Sequence, residues 1–96
     1  MTTDDLLHRY REDILRLAQK HGARNVRLFG SVARGDAGPE SDMDFLVDME
    51  PGRTLFDLIH LQMDLEELLG RPVDLAEPDG VYWYIREQVL AEAQPL

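Results

Sequence analysis

The sequence predicts an α/β (α+β) fold in which helices pack on a small mixed β-sheet, and three observations carry that expectation. Helix-like and strand-like segments alternate along the chain, without internal repeats or low-complexity tracts. A length of 96 residues fits one domain spanning 1–96, and nothing in the chain reads as a linker between separate domains. A hydrophobic content of 44% is enough to close one modest core, which separates the chain from disordered sequences despite a net charge of −9.

Each element has its own local signal. Thr2 and Thr3 are candidate caps for a first helix, with Asp4 and Asp5 suited to its positive end. Leu7, Tyr10, Ile14, Leu17 and Ala18 form one apolar stripe at helical spacing, and Gly22 follows as the stop. Asn25–Phe29 (NVRLF) reads as a short strand ending at Gly30. Ser31–Ser41 (SVARGDAGPES) is polar, with two glycines and a proline, and reads as turn-rich chain. Asp42–Met49 (DMDFLVDM) is the second strand, closed by Pro51 and Gly52. Thr54 and Asp57 make a capping box for a second long helix. Its stripe is read as Leu55, Leu58, Ile59, Leu65, Leu68 and Leu69, with Gly70 as the stop; Leu61 and Met63 widen the apolar side beyond that stripe. Pro72–Ala76 (PVDLA) is a third strand, and a last helix runs from about Val81 to Ala93.

Charge and composition exclude several function classes. Nineteen acidic residues stand against ten basic ones, so the chain should repel nucleic acid and anionic membranes. Cysteine is absent, which removes disulfides, thiolate nucleophiles and cysteine-ligated zinc. The start, MTTDDLLHRY, has no basic region followed by an apolar one, and no stretch reaches the ~18 apolar residues of a membrane span. The expectation is a soluble, cytoplasmic protein. His8, His21 and His60 lie on predicted helices at no metal-ligand spacing, which suits surface or helix-end roles. Tyr82, Trp83, Tyr84 and Ile85 form an apolar cluster too wide for one small core, which suits helix packing or a protein interface.

The chemistry concentrates in Gly30-Ser31, ten intervening residues, then Asp42-Met43-Asp44. Strand side chains alternate faces, so Asp42 and Asp44 point the same way with their carboxylates a few ångströms apart. Such a pair repels itself without a cation, and Mg²⁺ prefers one or two carboxylates together with substrate phosphates. Taken alone, D-x-D also suits a solvated strand face. Gly30 lets backbone approach a phosphate, and Ser31 begins a turn or helix whose N–H groups and hydroxyl can hold anionic oxygens. Arg34 lies one helical turn on and can add positive charge, though an exposed loop arginine is the plain alternative. Asp48 shares the face of Asp44 but lies about 13 Å along the strand, too far for the same metal pair.

Gly30-Ser31-x10-Asp42-x-Asp44, embedded in FGSVARGDAGPESDMDFLV, resembles the active-site motif of the nucleotidyltransferase superfamily that includes DNA polymerase β. The length and the G-S-x-A-R-G form resemble its minimal nucleotidyltransferase (MNT) branch, and YIREQVLAEAQPL is similar to the C-terminal helix of such proteins. The resemblance implies a polymerase β-like nucleotidyltransferase fold and a third catalytic carboxylate on the neighbouring strand. Asp74 in PVDLA occupies that place; by itself it reads equally as an exposed strand residue, and Glu77 and Asp79 are weaker candidates. The resemblance further implies ATP as substrate, with its phosphates over Gly30 and Ser31 and steadied by Arg34. Two Mg²⁺ ions would be held by Asp42, Asp44 and Asp74, with Asp74 as general base. MNT proteins pair with helical HEPN toxins, so the resemblance implies a hetero-oligomer in which AMP is transferred to a hydroxyl, a tyrosine's in the family, of the toxin. The alternatives are an antitoxin that acts by contact alone and a transferase for small molecules.

Overall fold

A computed structural model describes residues 2–35, 38, 41–81 and 83–96, apart from the side chain of Trp83. Helix α1 (Thr3–Lys20) starts where Thr2 and Asp5 cap each other's backbone N–H, at 3.1 and 3.3 Å. Of the two threonines, Thr2 is therefore the cap and Thr3 the first helical residue. Strand β1 (Ala23–Phe29) leads into the one-turn helix α2 (Gly30–Arg34). Strand β2 is Met43–Met49, and helix α3 is Leu55–Leu69, opened by the Thr54 N–H donating to the Asp57 carboxylate at 2.9 Å. Strand β3 (Val73–Ala76), a 3₁₀ turn (Pro78–Gly80), helix α4 (Trp83–Glu92) and a two-residue strand β4 (Gln94–Pro95) complete the chain.

The sheet is mixed, in the order β3-β2-β1-β4. β1 runs antiparallel to both β2 and β4, while β2 and β3 are parallel. Parallel neighbours need a crossover, and α3 supplies it. Met43, Phe45 and Val47 of β2 are buried against Leu7, Ile14 and Ala18 of α1 and Leu61, Leu65 and Leu69 of α3. Alternation along the strand sends Asp42, Asp44, Leu46 and Asp48 to the opposite face. One strand thus anchors the core on one side and displays acids on the other.

Three readings of the sequence need correction. β1 starts at Ala23, not Asn25, because the pairing slips between Arg24 and Arg27 where Asn25 adopts φ 53°. This bulge breaks the two-residue period that the sequence reading relied on. Leu65 and Leu69 of the expected α3 stripe are buried and Leu58 and Leu68 pack beside them, but the third buried position is Leu61, whereas Leu55 is 68% and Ile59 40% exposed. Asp42, read as the first residue of the second strand, lies one residue before β2, whereas the segment after Gly30 opens with a helical turn, one of the two forms expected at Ser31. β4 was not anticipated. It pairs with Arg27 and Leu28, and the Leu96 N–H donates to the Val26 carbonyl at 3.1 Å. No helix among the described residues is long and apolar enough to cross a membrane. Tyr82 and the Trp83 side chain, half of the apolar cluster read from the sequence, lie outside the described residues; Tyr84 is 67% exposed.

Candidate active site

Strand register brings the chemical residues together. Phe29, the last residue of β1, pairs with Asp44 of β2, and Asp44 pairs in turn with Asp74 of β3. The end of β1, the D-x-D strand and the third acid therefore stand abreast across three strands. Directly after Phe29 the chain turns at Gly30 with φ 69°. A Cβ there would fall 2.3 Å from the Asp44 Oδ2 and 3.2 Å from its Cγ. Gly30 is thus required twice, by its left-handed conformation and by the carboxylate lying against it.

Asp44 is held in an unfavourable charged state. Burial comes first in pushing its pKa from 3.8 up to about 6, followed by the charge of Asp74, a side-chain hydrogen bond with Asp74, and the charge of Asp42. The Arg34 cation opposes the rise. Asp74 stands directly beside Asp44 in the parallel ladder, whereas Asp42 and Arg34 act on it through charge. Asp42 is exposed and Asp44 half-buried. Ser31 is half-buried in the first turn of α2. Arg34 follows at the end of that helix, its Nη1 3.7 Å from the Glu92 Oε2 on α4.

Would this set of groups suit a divalent cation? Among the described residues no three His, Asp or Glu side chains are gathered as a ready-made metal cage. Magnesium does not need one, since it commonly takes one or two carboxylates and completes its shell with water and substrate phosphates. The donors here are all hard carboxylate oxygens, and the pKa of Asp44, raised first by burial and then by the charges of Asp74 and Asp42, marks a carboxylate whose charged form a cation would favour. The residues present fit Mg²⁺ on those grounds.

Other acids read from the sequence do different work. Asp48 accepts from Arg27 Nη2 at 2.9 Å and from Asn25 Nδ2 at 3.0 Å, pinning the bulge of β1. Glu77 precedes the 3₁₀ turn, and the Asp79 carbonyl accepts from Arg86. His21 lies at the C-terminal cap of α1, its Nε2 2.6 Å from Asp64 on α3, so it joins helices as a helix-end residue. Two residues near the site went unread. Glu92 lies in a helix with no clear stripe, and Arg71 follows a helix stop where a solvated side chain is the default.

The chain's kinship agrees with this geometry. Residues 9–96 match the Nucleotidyltransferase domain family. A relative from Thermococcus cleftensis, the protein adenylyltransferase MntA, is 41% identical over 76 residues, covering 79% of this chain and 77% of its own. Among solved structures, a minimal nucleotidyltransferase superposes with a TM-score of 0.87 at 51% identity, covering 100% of this chain and 97% of that one. A toxin–antitoxin structure with AMP-PNP superposes with a TM-score of 0.74 at 22% identity, covering 88% of this chain and 69% of that one. At that identity the likeness speaks for the fold.

Proposed function

The chain belongs to the nucleotidyltransferase domain family, and on that premise we propose that it is a protein adenylyltransferase that transfers AMP from ATP to a tyrosine hydroxyl of a HEPN-type toxin, and so serves as its antitoxin. The observation that carries this reading is the register that sets Gly30, Asp44 and Asp74 side by side. It is supported by the relative from Thermococcus cleftensis, whose name states protein adenylyltransferase activity.

The roles follow from the chemistry of each group. Gly30 and Ser31 receive the phosphates, because the glycine has no side chain to hold them off and the serine offers N–H and hydroxyl donors. Arg34 adds a cation beside them. Asp42, Asp44 and Asp74 would hold Mg²⁺, which when bound polarises phosphate oxygens and lowers the pKa of a bound hydroxyl. The acceptor oxygen attacks the α-phosphorus, the bond to the β-phosphate oxygen breaks, and pyrophosphate leaves. Asp74 takes the hydroxyl proton, since it is exposed and sits beside Asp44 at the open edge of the site. Asp44, half-buried and crowded by Asp74 and Asp42, is suited to holding a cation.

Incubation with labelled ATP, Mg²⁺ and the toxin partner, followed by intact-mass analysis and peptide mapping, tests the proposal. Gain of AMP on a toxin tyrosine is the expected result. Neutralisation of the toxin that persists in Asp42→Asn/Asp44→Asn, without nucleotide, would replace enzymatic transfer by inhibition through contact. Transfer to a small molecule in place of the toxin would overturn the protein acceptor.

A further inference from the structure

Arg71 lies between the αL glycine that ends α3 and Pro72, at the threshold of β3. In the parallel ladder Met43 pairs with Val73 and Asp44 with Asp74, an offset of thirty residues. Continued backwards, that offset sets Asp42 against Pro72 and Ser41 against Arg71. Pro72 accepts from the Met43 N–H at 3.0 Å, but it has no N–H with which to extend the ladder. The Arg71 side chain takes over at that point. Its Nη2 donates to the Ser41 carbonyl and, at 3.0 Å, to the Gly38 carbonyl, while its Nη1 donates to Thr3 Oγ1 at 2.7 Å. Gly38 and Ser41 are themselves closed on one another, the Gly38 N–H donating to Ser41 Oγ at 2.8 Å and the Ser41 N–H to the Gly38 carbonyl at 3.2 Å.

Asp42 is the residue that this arrangement delivers. It is exposed and precedes β2, so its place depends on its neighbours: Met43, bonded to Pro72, and Ser41, bonded to Arg71. The clamp also has a cost. Arg71 Nε is buried with no hydrogen-bond partner among the described residues, and an unsatisfied buried donor is unfavourable. A lysine could not replace it, because a single ammonium lacks the planar fork that reaches three oxygens on two segments.

We propose that Arg71 is a positioning residue of the nucleotidyl-transfer site, clamping the backbone of Gly38 and Ser41 so that Asp42 stands at its working distance from the Asp44–Asp74 pair. The inference rests on the reading of these three acids as the cation ligands. The test uses the full chain with a non-hydrolysable ATP analogue and Mn²⁺, with ion binding followed by electron paramagnetic resonance and amide exchange by NMR. Arg71→Lys and Arg71→Met should weaken Mn²⁺ binding by about 10–100-fold, the usual effect of removing a partner that orients a metal ligand. Exchange of the Ser41 and Met43 amides should quicken at least about tenfold, with Phe45 and Leu46 in the sheet unchanged. In turnover assays the metal concentration for half-maximal rate should rise, with most of the rate recovered at saturating metal. If Arg71→Met does not fold, Arg71→Lys, which keeps the charge and most of the stem, decides the matter. Wild-type Mn²⁺ affinity in the folded lysine variant would overturn the role of Arg71 alone. Absence of Mn²⁺ binding by the wild-type chain would instead overturn the ligand assignment beneath it.

Discussion

Asp44→Asn should stabilise the metal-free protein while removing its transfer activity. Asp44 has an ordinary carboxylate pKa when unfolded and one raised to about 6 when folded, first through burial and then through Asp74 and Asp42. The folded state therefore holds a proton more tightly than the unfolded chain. Above pH 6 the ionised carboxylate costs stability, and that cost fades as the pH falls from about 6 towards 3.8. Taken at face value the rise corresponds to about 3 kcal/mol. Asp44 is only half-buried, however, and solvent screening brings a realistic figure nearer about 1–1.5 kcal/mol. Asparagine keeps the shape, removes the charge and can donate to Asp74. Its melting temperature at pH 7.5, in chelator, should therefore exceed the wild type's by roughly 4–10 °C for a domain of this size. By pH 5 about half of the gap should be gone, because wild-type Asp44 is then largely protonated. Asp48→Asn is the control: it makes the same charge change on the same strand face but breaks bonds to Arg27 and Asn25, so it should lose stability. Thermal unfolding followed by circular dichroism reads all three proteins. A lower melting temperature for Asp44→Asn at pH 7.5, or a gap independent of pH, would refute the reasoning.

The glycines and α3 give further tests. Gly30→Ala should abolish transfer and cost at least about 2 kcal/mol in urea unfolding, since its Cβ meets Asp44 at 2.3 Å in addition to the strain of φ 69°. Gly35→Ala has φ 79° but nothing within 4 Å of its Cβ, so it should cost only about 1–2 kcal/mol. Leu61→Ala, at a site with 0% exposure, should lose about 2–5 kcal/mol. Ile59→Ala, two residues away and 40% exposed, should lose less than about 1 kcal/mol in the same measurement. Equal losses at the two positions would mean that α3 is rotated from the orientation described.

What the sequence disclosed depended on whether the signal was local. The Gly-Ser turn and both helix caps involve residues within a few positions of one another and fell where expected, whereas of the D-x-D pair only Asp44 lies in the strand. The α3 phase was harder, because Leu55, Leu58, Ile59, Leu61, Met63, Leu65, Leu68 and Leu69 offer apolar residues on several sides. Only packing against α1 and the sheet selects Leu61, Leu65 and Leu69. The start of β1 was hidden by the Asn25 bulge, and β4 is too short for any periodicity. Asp74 was legible chiefly through family resemblance, since its pairing with Asp44 is a fact of strand register. Arg71 was illegible for the same reason: its partners Ser41 and Thr3 lie 30 and 68 positions away and become neighbours only when β2 pairs with β3 and α1 packs on the sheet.

The placement of charge and core on one strand explains how so small a chain can hold so uncomfortable a group. Asp44 lies between Met43 and Phe45, both 0% exposed, and a strand's alternation turns its side chain away from theirs. The core contacts that fix the strand therefore fix the carboxylate without solvating it. Had the acids been carried on a loop, they could move apart and into solvent, which would relieve both the repulsion and the burial that comes first in raising the pKa of Asp44. Here the backbone cannot yield, because Phe29 flanks Asp44 on one side and Asp74 on the other. The repulsion is then available to be relieved by a cation. Asp42, one residue outside the strand, lacks that support, and this is why the clamp from Arg71 bears on the site's geometry while the sheet alone suffices for Asp44 and Asp74.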